Sequence, residues 1–288
     1  MPITINSRIL LSVASIAAAA ALLIGATFAF FSDNETSQNN VFTAGSLDLK
    51  VDSESHYAGL TCTNDVWVED QTGQSTRPDL IGDPCDGTWS QTDLGPQHKF
   101  FNLSDLKPGD NGENTISLHV IDNDAWGRLV INDVQDLENT FLEAELDSGN
   151  DPDGVTSGEL RETLLFSIWL DDGATPGFQG KGNDAGEGNN IQDEGELTLV
   201  SQGTVDEGGE THNIWLGLQA AYTEANCDNP TPCPGLMSDG RLVESTTYYF
   251  GIDWELPSSV GNEVQTDSLG ADMTIEVVQH RNNPSQTF

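Results

Sequence analysis

The chain has 288 residues with 36% hydrophobic and 7% aromatic side chains, enough for one domain of roughly 200–250 residues with a real core and unlike a disordered chain. Its 47 acidic residues stand against 10 basic ones, a net charge of −37, and a surface of that sign repels nucleic acid and anionic lipid, which excludes both as partners. The acidity has two compatible readings: a solvated surface adapted to high salt, where screening acts over about 3 Å at 1 M, and local carboxylate clusters that hold Ca²⁺.

In chain order, residues 1–29 read as a targeting segment and stand outside the fold. Arg8 is the only charge before an apolar run from Ile9 to Ile24, and Thr27-Phe28-Ala29 places small residues at −3 and −1, so cleavage is expected between Ala29 and Phe30. An uncleaved anchor is the alternative, because Ile9 to Phe31 is long enough to span a bilayer. Phe30 and Phe31 follow directly, then a polar stretch.

From there period-two alternation dominates, the signature of half-buried strands. Leu47, Leu49 and Val51 alternate, as do Ile116, Leu118 and Val120, then Leu129 and Ile131. The stretches 164–172, 196–200, 212–222 ("HNIWLGLQAAY"), 247–256 and 272–279 all read as strands. In 247–256 the residues Tyr248, Phe250, Ile252, Trp254 and Leu256 share one face, which must be core. Only 134–146 ("VQDLENTFLEAEL") reads as a short helix. Eight or so strands with Gly, Asp, Asn and Pro-rich turns predict an all-β fold, an antiparallel jelly-roll-like β-sandwich. The segments 53–98, 147–158 and 171–195 read as loop insertions.

Four cysteines fall into two local groups, Cys62 with Cys85 and Cys227 with Cys233. An exported chain favours disulfides within each group, although four cysteines allow three connectivities. A zinc site is the competing reading, but these spacings lack the tight CxxC knuckle and no histidine lies beside them.

The loop 171–196 is the best candidate site. Calcium takes six to eight oxygen ligands, and glycines let a short loop curl around the ion. Asp171 and Asp172 end one strand, and Glu187, Asn189, Asp193 and Glu196 recur before the next. These six are the expected metal ligands, against a solvated acidic loop without an ion. No organic cofactor is expected. Asn34 and Asn102 begin N-x-[ST] triplets and are candidate glycosylation acceptors. No GxSxG elbow or HExxH helix occurs, and His56, His98, His119, His212 and His280 are scattered, so the composition argues against an enzyme.

Four segments taken together, "GATFAFFSDNETS" (25–37), "FTAGSLDLKV" (42–51), "NLSDLKPGD" (102–110) and "NEVQTDSLGADMTIEVVQ" (262–279), resemble the TasA/camelysin family of secreted fibre proteins. The similarity extends over nearly the whole chain. It implies a leader (1–29) cut by a SipW-type signal peptidase, a donor-strand segment (30–41) anchored by Phe30 and Phe31, and one jelly-roll domain (42–288). It also implies a secreted or cell-surface filament, with the chain itself as partner, polymerised head to tail by donor-strand complementation, and membrane contact only through an uncleaved leader. A monomeric calcium-stabilised surface adhesin and a camelysin-like secreted metalloendopeptidase are the alternatives. The sequence departs from the family in its acidity, its two cysteine pairs and its long acidic loop.

Overall fold

The computed structural model describes residues 32–36, 47–70, 73–140, 142–148, 157–228 and 233–288. The expected leader (1–29, ending at Ala29) and the expected anchors Phe30 and Phe31 lie outside them. The strands are β1 (Ser32–Thr36), β2 (Asp48–Tyr57), β3 (Leu60–Thr63), β4 (Val66–Glu69), β5 (Trp89–Thr92), β6 (Asn111–Ile121) and β7 (Ala125–Leu137), followed by the short helices α1 (Glu143–Ser148) and α2 (Leu160–Thr163). Then come β8 (Leu165–Leu170), β9 (Thr198–Gly203), β10 (Glu210–Asn213), helix α3 (Ile214–Glu224), β11 (Thr247–Glu255) and β12 (Ser268–Gln279).

Two antiparallel sheets face each other. The smaller has the order β1-β12-β7-β10, and the larger runs β4-β3-β2-β6-β11-β8-β9 with β5 also paired to β2. From β6 onward the chain crosses repeatedly between the sheets, so the expected all-β sandwich is what forms. Between the sheets lie Leu49, Val51, Ile116, Leu118, Leu170, Phe250 and Ile252 from the large sheet, against Leu129, Ile275 and Val277 from the small one. The alternations at 47–51, 116–120 and 248–256 therefore point inward, and each fully buried side chain of this size contributes about 1.5–3 kcal/mol. Tyr248, Phe250, Ile252, Trp254 and Leu256 are all buried, as their shared face requires.

Three sequence readings need correction. Residues 212–222 are a strand only to Asn213; beyond it the chain is helix α3, because Ile214, Leu218 and Ala221 at helical spacing are the buried set while Leu216 is 56% exposed. The period-two run Ile214-Leu216-Leu218 had suggested a strand. The expected helix at 134–146 is instead the end of β7, which runs to Leu137, and α1 starts only at Glu143. The segment 53–98 is more than an insertion: β2 continues through it to Tyr57, and it supplies β3, β4 and β5 to the large sheet.

Both disulfides form within their local groups, Cys62 with Cys85 and Cys227 with Cys233. The first closes a second small core in which Tyr57, Leu60, Trp67, Trp254 and Leu256 pack together.

Candidate functional site

The segment after the expected leader junction occupies a sheet edge. Ser32–Thr36 pairs antiparallel with β12, Ser32 opposite Val278 and Thr36 opposite Thr274, and lies at the outside of the small sheet. An edge strand presents a row of unpaired backbone groups, so the β12 edge is a template that any extended segment of suitable register satisfies. The expected cleavage site at Ala29 and Phe30 and the expected anchors Phe30 and Phe31 fall just before the described strand. Asn34 lies in it, opposite Glu276. Asn102 is exposed and donates from Nδ2 to Asp86 at 2.7 Å.

The acidic loop folds over the outer face of the large sheet. Gly188 makes that close approach: it has φ +64°, and a Cβ there would stand 2.7 Å from the Tyr249 ring. Lys181 lies 5.3 Å above the same ring and 3.9 Å from Glu54. Asp171, Asp172, Glu187 and Glu196 are each less than 9% exposed, an arrangement that costs heavily unless every oxygen is satisfied.

The backbone satisfies most of them. Asp171 accepts N–H bonds from Gly188 (2.7 Å), Asn189 and Asn190 (3.3 Å each). Asp172 accepts from Gly177 at 2.8 Å. Glu187 takes Gln179 on one oxygen and Gly180 on the other, at 2.9 and 3.0 Å. Glu196 takes Gly173 at 2.9 Å and Asp193 at 2.8 Å. Asn189 donates to Asp193 at 3.0 Å and accepts from Ile191 at 2.8 Å. The six expected ligands thus share one loop, but each faces its own set of donors. Burial, opposed by these N–H bonds, pushes Asp172 up to about 6 and Glu196 up to about 7, and raises Asp171 and Glu187 as well.

Among the described residues, one group of three acidic or imidazole side chains brings its ligand atoms within 4.8 Å of one another: Glu138, Glu159 and Asp267. It sits beside a cleft of about 1140 Å³ between the sheets, lined by Ile131, Leu164, Phe166, Val200, Trp254 and Met273 among others. Asp267 Oδ2 accepts the N–H groups of Glu159 and Leu160 at 2.6 and 3.1 Å, at the start of α2. Sequence reading missed this group because its members stand far apart in the chain and carry no common motif.

The five histidines are dispersed. His56 meets Asn190, His98 accepts the Gly95 N–H at 2.8 Å, and His119 pairs with Asp52 at 2.5 Å. His212 pairs with Glu210 at 2.8 Å and His280 with Asp239 at 3.1 Å.

Residues 4–57 match the family model described as camelysin metallo-endopeptidase. The span covers the expected leader junction, β1 and β2, and is consistent with the TasA/camelysin family. No curated protein matches the chain.

Proposed function

We propose that this chain, with the camelysin-type signature across its leader junction, is a secreted subunit of an extracellular or cell-surface filament joined head to tail by strand donation. The observation that carries the reading is the pairing of Ser32–Thr36 with the β12 edge. Those residues immediately follow the expected cleavage point, and an edge that accepts them within one subunit offers the same hydrogen bonds to the same residues of a neighbour. Cleavage frees the terminus, and Phe30 and Phe31 add apolar anchors worth about 1.5–3 kcal/mol each when buried. Two disulfides fit the oxidising conditions outside the cell.

The activity in the family's name calls for a metal held by converging imidazoles and carboxylates. The residues do not fit it. All five histidines are described, each has its own partner, and none joins the carboxylate group of Glu138, Glu159 and Asp267.

Negative-stain microscopy of the mature chain in high salt, beside a variant lacking residues 30–37, tests the proposal. Filaments of uniform width from the first and a folded monomer from the second are expected. Filaments from the truncated chain would end the strand-donation reading. The uncleaved precursor carrying Ala29→Leu is expected to stay unassembled.

A further inference from the structure

The outer face of the large sheet carries a second feature under the acidic loop, independent of the filament reading. In β6 the odd-numbered side chains point away from the core. Glu113 stands between His56 of β2 and Asp253 of β11, and Thr115 stands between Glu54 and Gly251. Gly251 is required here because the Trp169 ring of β8 lies across it, 2.0 Å from where a Cβ would be.

The loop closes this face into a ring. Asn190 Nδ2 meets His56 Nε2, and His56 is the cross-strand neighbour of Glu113. Glu113 Oε1 lies 3.1 Å from the Thr115 hydroxyl, and that hydroxyl lies 3.4 Å from Asp171 Oδ2. Asp171 Oδ2 in turn accepts the Asn190 N–H at 3.3 Å, which returns the path to its start.

Within this ring the hydrogen bonding is incomplete. The Thr115 hydroxyl has one proton for two carboxylates. Glu113 is 8% exposed, and its Oε2 is buried with no hydrogen-bond partner; Asn190 Oδ1 is likewise buried and unpartnered. Both lone atoms are acceptors. The charges acting on Glu113 are those of Asp171, Glu54 and Asp253, all of its own sign. The nearby ammonium of Lys181 is directed to Glu54 and the Tyr249 ring. A buried carboxylate among like charges needs a proton or a cation.

We infer that this ring is a calcium site, with Glu113 Oε2, Asn190 Oδ1, Asp171 Oδ2 and the Thr115 hydroxyl as oxygen ligands and water completing the shell. Four hard oxygens from carboxylate, amide and hydroxyl suit calcium's six to eight oxygen ligands, whereas zinc selects nitrogen and sulfur. The ion neutralises the like-charged group and ties the 171–196 loop to β6. Of the six ligands expected from the sequence only Asp171 belongs to this ring, and the oxygens without partners are on Glu113 and Asn190.

The competing occupant is a proton on Glu113. Calcium titration of the mature chain by calorimetry, and terbium luminescence excited through Trp169, both in 2 M KCl to screen the acidic surface, separate the two. Wild-type protein is expected to show one saturable site. Glu113→Gln, which keeps the shape and removes the charge, is expected to weaken calcium at least tenfold and abolish the sensitised emission. Asn190→Asp, at a φ of +66° that Asp tolerates, is expected to bind at least as tightly as wild type and decides the matter if Glu113→Gln fails to fold. The exposed control Glu207→Gln is expected to bind as wild type does. Wild-type affinity in Glu113→Gln, loss of binding in Asn190→Asp, or no saturable site in the native chain overturns the proposal.

Discussion

Two regions packed against the large sheet bury charge by opposite means. In the small core closed by Cys62–Cys85 the buried group is a cation: Arg77, 4% exposed, reaches Asp110 at 3.2 Å, Asp79 at 3.1 Å, Asp105 at 3.3 Å and the Tyr57 hydroxyl at 2.6 Å. In the 171–196 loop the buried groups are carboxylates, and the donors around them are mostly backbone N–H groups. With 10 basic residues for 47 acidic ones, side-chain cations are scarce, and the hydrogen bonds that reach Asp172, Glu187 and Glu196 come from backbone N–H groups. A glycine-rich loop that curls its amides inward supplies the substitute, at the cost of raised proton affinity in the acids it holds.

The largest test of this contrast removes the cation. Arg77→Met leaves Asp110 and Tyr57 facing each other in the core without the guanidinium, and breaking one partner of a buried ion pair costs about 3–5 kcal/mol. Urea unfolding monitored by Trp fluorescence is expected to show that loss, and a variant within 1 kcal/mol of wild type would mean that the pair is solvated. Next, the double variant Cys62→Ser with Cys85→Ser opens a covalent link between residues 23 apart in sequence. A loss of about 2–4 kcal/mol is expected in the same assay.

On the loop side, Glu187→Gln replaces one of two oxygens that accept backbone N–H bonds with an NH₂ that cannot. The expected cost is about 1–3 kcal/mol, confined to the loop. Hydrogen exchange at the Gln179 and Gly180 amides is expected to speed up while amides around Arg77 keep their protection. Equal acceleration in both would show that the two regions unfold as one.

The smallest effect belongs to a third arrangement, carboxyl against carboxyl. Burial, with the Glu138 carboxyl alongside, raises Asp267 to about 6. The folded state therefore binds more protons than the unfolded chain between about pH 4 and 6. The stability this group gives is complete below about pH 4 and is lost as pH rises through about 6. Asp267→Asn is expected to flatten that slope, so that its thermal midpoint gains on wild type at pH 7.5 relative to pH 4.5. An unchanged difference between the two pH values would place the pH response elsewhere.

The sequence by itself determined the fold class and the core, because an alternating strand can bury only one of its two faces. Leu49, Val51, Ile116, Leu118 and Phe250 are inward for that reason alone. It also located the two disulfides, whose partners are close in sequence, and the acidic loop as the region where charge is concentrated. Helix α3 was misread because Ile214, Leu216 and Leu218 satisfy period two locally, and only the sandwich decides that Leu216 faces solvent while Ala221 faces the core. Glu113 was illegible for a related reason. In "NGENTISLHV" it reads as the solvent side of a strand, and that side becomes buried only when a loop some sixty to eighty residues later folds across it. Period fixes which face a side chain takes; what covers that face depends on distant segments meeting in space, which no local pattern encodes.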